Sequence, residues 1–149
     1  MQMLHPPHPD AVAREAEFKR LGDAIAALSA HLDAVTSRLL DLIRDFDARG
    51  GWGDGFNGFR DCAHWLTWRI GWSSGTAREK VRVARALPSV PLIAASFARG
   101  EISYSKVREL TRVATPETEE RPLKFARVGT ATHVERLIRD GAGSTATRS

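Results

Sequence analysis

Nine apolar residues, Phe18, Leu21, Ile25, Leu28, Leu32, Val35, Leu39, Leu42 and Phe46, recur at alternating intervals of three and four. That is an unbroken a/d heptad seam, and only an α-helix aligns such residues on one stripe. A helix spanning them is a rod of about 43 Å. Gly22 is the one Gly or Pro within the register, and Gly50-Gly51 supply the stop. A seam this regular has to be covered. Either the later helices of the same chain cover it, or another chain does, as a dimeric coiled coil or a helix hairpin. The pattern leaves both open.

At 149 residues the chain is long enough for one domain with a core of its own. The expected division is a disordered lead-in at 1–9, a single helical domain at 10–140 and a disordered tail at 141–149. A lone cysteine, Cys62, excludes an internal disulfide and suits a reducing compartment. No apolar run approaches the ~20 residues of a membrane span. The N-terminus, MQMLHPPHPD, lacks the basic and apolar regions of a signal peptide. The expectation is a cytoplasmic protein with no membrane partner.

Past the seam the punctuation is helical throughout. GGWGDGFNG, residues 50–58, is too rich in glycine for regular structure and reads as a connector anchored by Trp52 and Phe56. A helix over 60–70 ends at Gly71, and Trp65 and Trp68 share one of its faces, with Trp72 just beyond. Tryptophans so placed read as core, with base stacking as the minority alternative. Ser73 caps a helix over 74–87 that Pro88 stops. Lys80 falls inside its apolar arc and has to snorkel or find a carboxylate. Residues 91–99 form a short helix burying Leu92, Ile93 and Phe97. Gly100 ends it, and Ser103 caps a helix over 104–114. This outline fits a helix-turn-helix, but also a plain helical hairpin. Thr115-Pro116-Glu117 reads as a helix start, which Pro122 should kink or end, and a last helix is expected over 131–140. The fold class is therefore all-α: the long N-terminal heptad helix with four to five shorter helices packed against it.

Charge is concentrated in one segment. Residues 60–114 hold ten Lys/Arg against four Asp/Glu, a net of +6, while the whole chain is +4. Arg78, Arg82 and Arg85 form one stripe on the helix over 74–87. Lys106, Arg108 and Arg112 lie on the helix over 104–114. A localised basic surface favours a polyanionic partner, with nucleic acid first. The first three would meet phosphates, and the second three could reach a groove.

The motifs of self-sufficient catalysis are missing. Cys62 and His64 are two apart, so they leave a helix on different faces. The sequence has no CxxC, HExxH, Walker or dinucleotide-binding pattern. Neither a cofactor nor a metal is expected, and an enzymatic role for this chain alone is not.

CAHWL at 62–66, REKVRVARAL at 78–87 and FARGEISYSKVRELTRVATPE at 97–117 resemble the domain of unknown function 222 family, also called the 13E12 repeat family. The resemblance runs from about Leu21 to Arg139. In that family the domain usually leads a longer protein in which an HNH endonuclease module follows. It therefore implies a nuclease setting and a DNA substrate. This sequence contains no HNH residues, and Pro122 interrupts what is a continuous helix in the family. His133 falls in the leading domain and receives no catalytic role. The expectation is a short or truncated member, a non-catalytic DNA-associated helical domain. The alternative is an oligomerisation or protein-interaction module, homodimeric through the Phe18–Phe46 helix.

Overall fold

The computed structural model describes residues 4–53 and 58–127. Phe56, the helix expected over 131–140 and the tail at 141–149 lie outside these residues. The architecture is all-α: one long helix with several shorter ones packed against it.

Helix α1, Pro9–Ala48, has Pro9 at its first position, and the His8 ring accepts from the Asp10 amide. Its inward-facing residues are not the seam. Ser37, Leu40 and Ile43 are buried, and Ala30, Asp33, Arg44 and Asp47 are partly covered. In heptad terms most of these are b and f positions, opposite the a/d stripe. The seam from Phe18 to Leu42 stays between 36% and 69% exposed, and only Phe46 turns into the core. Internal burial of the whole seam, one of the two expectations, is not what the described residues show.

Helix α2, Cys62–Ile70, is capped by Asp61, whose carboxylate accepts from the His64 amide at 2.8 Å. Gly71 closes it at φ +79°. Cys62 and Leu66 are buried, and Trp65 packs against Phe46 with ring centroids 4.4 Å apart and the planes tilted by 46°. Trp68 corrects the expectation that the tryptophans are core. It is 63% exposed, against Phe59 on the outer side, because helix spacing carries it past the edge of the contact with α1.

Helix α3, Ser74–Ala86, begins at Ser73, whose hydroxyl accepts from the Thr76 amide. Pro88 then sits in a 3-10 turn, Leu87–Ser89. Ala77, Val81, Val83 and Ala84 are buried. Helix α4, Pro91–Ala98, buries Ile93 and Phe97, but Leu92 is exposed, contrary to expectation. Its N-terminus has no local side-chain cap. The buried carboxylate of Glu119 supplies one, accepting from the Leu92 and Ile93 amides at 3.0 Å each.

Gly100 turns the chain at φ +72°, against the Ala30 carbonyl of α1, where no Cβ would fit. Helix α5, Tyr104–Leu110, is shorter than the sequence suggests. Ser103 caps it, and Asp33 of α1 accepts from the Tyr104 amide at 3.1 Å. The helix start expected at Thr115 is also displaced. Residues 115–118 form a turn, and α6 runs Glu120–Ala126. Pro122 consequently falls in the first helical turn, where its missing N–H removes no intrahelical bond.

The core gathers Leu40, Leu66, Val83, Ile93, Phe97, Val107 and Leu110, all at most 2% exposed. Each such side chain contributes about 1.5–3 kcal/mol by leaving water. No single helix among the described residues is long and apolar enough to cross a membrane.

Candidate nucleic-acid interface

The six basic residues singled out by sequence separate into two groups. Four lie on the α3–α5 surface, organised by an acid, Glu79. Glu79 and Arg82 sit three apart on α3, so they face each other across one turn. Arg82 donates to Glu79 Oε1 from Nη2 at 2.6 Å and from Nε at 3.1 Å. Helix α5 lies alongside, and from it Arg108 Nε reaches the same oxygen at 3.1 Å. Arg112, just past the end of α5, reaches it at 3.2 Å. Arg82 also donates to the Arg108 carbonyl at 3.0 Å, which fixes the spacing between the two helices. Arg78 lies on the Arg82 stripe one turn earlier, exposed, and has no ion pair among the described residues.

One carboxylate shared by three guanidinium groups leaves the surface net positive. It also holds the Glu79 carboxyl down at about 2. The hydrogen bond from Arg82 is the leading cause, burial opposes it, and Arg108 and Arg112 add to it. Each arginine keeps donors free, because a guanidinium has five N–H groups. Chemically, the patch can receive the oxygens of a polyanion without dismantling its internal pairs.

The other two residues are turned elsewhere. Arg85 is locked to Asp47 of α1 by two bonds, Nε to Oδ2 at 2.6 Å and Nη2 to Oδ1 at 2.9 Å. That pair ties α3 to α1. Lys106 folds inward and donates to the Ala126 carbonyl, and burial lowers its ammonium pKa. It joins α5 to α6.

Lys80 finds a third solution to its place in the apolar arc. Its ammonium sits 3.4 Å from the Tyr104 ring centroid and 5.7 Å from that of Trp72. Burial lowers its pKa, with the Arg108 charge adding. Sequence reasoning missed Glu79 as the organiser, although its spacing to Arg82 was visible. It missed Asp47 altogether, because nothing local links residues 47 and 85.

Among the described residues no group of three or more His, Cys, Asp or Glu could hold a metal ion. The buried Cys62 thiol is pushed up to about 11, chiefly by burial, and stays protonated at neutral pH.

Residues 19–141 match the family model described as Domain of unknown function (DUF222). No curated protein and no solved structure matches the chain.

Proposed function

The chain belongs to the DUF222 family, and from that premise we propose that it is a non-catalytic, DNA-associated helical domain whose contact surface is the arginine cluster on α3 and α5. The observation that carries this reading is the convergence of Arg82, Arg108 and Arg112 on Glu79. Residues nearly 30 positions apart in sequence form one cationic patch, with Arg78 extending it along α3. The contacts would be to phosphates, which give affinity and little sequence information. Helix α5 has seven residues, and Arg108 on it and Arg112 just past its end are both tied back to Glu79 of α3. That favours a surface contact over insertion of a recognition helix into a groove. The resemblance to leading domains of HNH endonuclease-like proteins supplies the setting: this domain would hold DNA while a separate module cuts it.

Duplex-DNA binding measured across a salt series tests the reading. The double variant Arg108→Ala/Arg112→Ala is expected to weaken binding and to reduce the salt slope by about 2. Arg85→Ala should leave the slope unchanged. Salt-independent binding, or a slope indifferent to the double variant, would rule the patch out.

The uncovered a/d face of α1 favours a second reading, compatible with the first. In it the domain is an association module that joins polypeptides through the long helix.

A further inference from the structure

We propose that a second copy of this chain covers the α1 seam, antiparallel to the first, with Phe18 of each copy seated in an apolar groove of the other. The proposal concerns a different surface from the arginine patch and stands or falls separately from it.

The first observation is how little of α1 its own chain supports. Every residue from 9 to 29 is exposed, a helical arm of about 30 Å with no packing against the body. Helices in proteins draw most of their stability from packing an amphipathic face. This arm carries such a face and leaves it bare. The second is the size of the bare face. Eight seam residues from Phe18 to Leu42 are exposed. Their uncovered surface is roughly 800 Å² per chain, one partner's share of a standard interface. The third is that the seam is exposed from Phe18 to Leu42, because the body hangs mainly from the opposite b/f face and only α2 flanks the seam's C-terminal end, beside Leu39 and Leu42.

The register follows from the seam itself. An antiparallel coiled coil sets a positions opposite d positions. Pairing Phe18 with Leu42 of the second copy also pairs Leu21 with Leu39, Ile25 with Val35 and Leu28 with Leu32. All eight exposed residues are then used, and the two-fold makes the interface isologous. Each unsupported arm lies along the supported half of its partner. A parallel pair would leave the two arms propping up each other alone. Flanking charges do not choose between the two: neither the parallel g–e′ pairs (Glu17–Gly22, Ala24–Ser29, His31–Thr36, Arg38–Ile43) nor the antiparallel g–g′ and e–e′ pairs contain opposite charges, so the support given to each arm and the groove decide the orientation.

The groove points the same way. Leu39, Leu42, Phe46, Trp65, Leu66 and Ile70 line an open, mainly apolar cleft of about 810 Å³ between α1 and α2. In the antiparallel register, Phe18 of the second copy arrives at the Leu42 layer, at the mouth of this cleft. An aromatic anchor entering a pocket is the usual form of an interface hot spot. One flank brings Glu17 near Asp45, a like-charge approach. Asp45 is already paired with Arg49 at 3.3 Å, which offsets part of that approach.

Sedimentation of the full chain, with cysteine cross-linking, tests this. The chain should sediment as a dimer at micromolar concentration, and Phe18→Ala, which removes both anchors of the two-fold dimer, should raise the dissociation constant about a thousandfold. Leu28→Asp should give a folded monomer whose urea unfolding matches that of the unsubstituted chain at high dilution, since Leu28 is 62% exposed in the single chain. Under mild oxidation, His31→Cys should link to itself across the two-fold. Leu21→Cys should link to Leu39→Cys but not to itself. The native Cys62 is fully buried and does not compete. A monomer at all concentrations, a dimer that survives Leu28→Asp, or self-linking of Leu21→Cys (the parallel arrangement) would each overturn the proposal.

Discussion

Along α1 the a/d stripe carries Phe, Leu, Ile and Val and faces solvent, whereas the opposite side carries Ala30, Asp33, Ser37, Leu40, Arg44 and Asp47 and holds the body. The body side uses only a few large apolar contacts, chiefly Leu40 and Ile43. The rest is small residues and directed bonds. Gly100 presses on Ala30, Asp33 caps α5, Arg44 donates to the Ala84 carbonyl at 3.1 Å, and Asp47 takes Arg85. A helix can thus hold its own domain through specific polar and close-packed contacts while its most hydrophobic stripe remains available. Hydrophobic periodicity states that a face will be covered; it does not state by which chain.

The widest difference between the two faces should appear on truncation. Leu40→Ala, at a fully buried site, is expected to cost about 2–5 kcal/mol in urea unfolding. Leu28→Ala should cost under about 0.5 kcal/mol at concentrations where the chain is monomeric. Equal losses at high dilution would mean that the chain covers its own seam, and the contrast between faces would fall. Gly100→Ala comes next. A residue with a Cβ is strained at φ +72° and also meets the Ala30 carbonyl, so a loss of about 1–3 kcal/mol is expected. Full stability in that variant would show that α1 is not held at Ala30.

Asp47→Asn weakens the lock between α1 and α3. Arg85 is 61% exposed and Asp47 only 10%. Solvent screening on the arginine side limits the expected loss to about 1 kcal/mol, measurable by thermal melting in low and high salt. The smallest effect belongs to Glu79. Its carboxyl is held at about 2 in the folded chain, against an ordinary value of 4.5. The stability it contributes is fully present above the ordinary value and is lost as pH falls from there toward 2. Glu79→Gln should therefore lower stability modestly in the neutral region, where the contribution is fully present, and so flatten part of the acid limb between those values. Glu101 shares the window, held down by Arg99 and Ser96, so the flattening is partial. An unaltered acid limb would mean that the arginine cluster does not hold Glu79.

Much of the helical outline was legible because its signals are local. Ser73 and Ser103 cap the helices that follow them, and Gly71 and Gly100 end the helices before them, whereas Asp61, the cap of α2, falls inside the helix expected over 60–70. Those signals act within one turn, by bonds between near neighbours. The misplaced start of α6 shows where locality fails. Thr115-Pro116-Glu117 has the composition of a helix N-terminus, yet Glu119 is drawn 27 residues back to cap α4. Trp68 shows the same limit in another form. Its spacing to Trp65 was correct, but the width of the α1 contact decided which of the two is covered.

The arginine patch was half legible. The stripe of Arg78, Arg82 and Arg85 follows from helical spacing, as does the i,i+3 relation of Glu79 to Arg82. Which arginines join the α3–α5 patch depended on acids that the fold brings near. Arg85 meets Asp47, 38 positions away, and Arg108 meets Glu79, 29 positions away.

By itself, then, the sequence determined the helices, their caps and stops, and the existence of an apolar seam that needs a cover. These depend on backbone hydrogen bonds and side-chain periods that span a few residues. Only the tertiary structure decided which face of α1 turns inward, which cations stay available, and that the seam is left outside. Those outcomes rest on close packing and ion pairs between segments distant in the chain, whose partners no local period can specify.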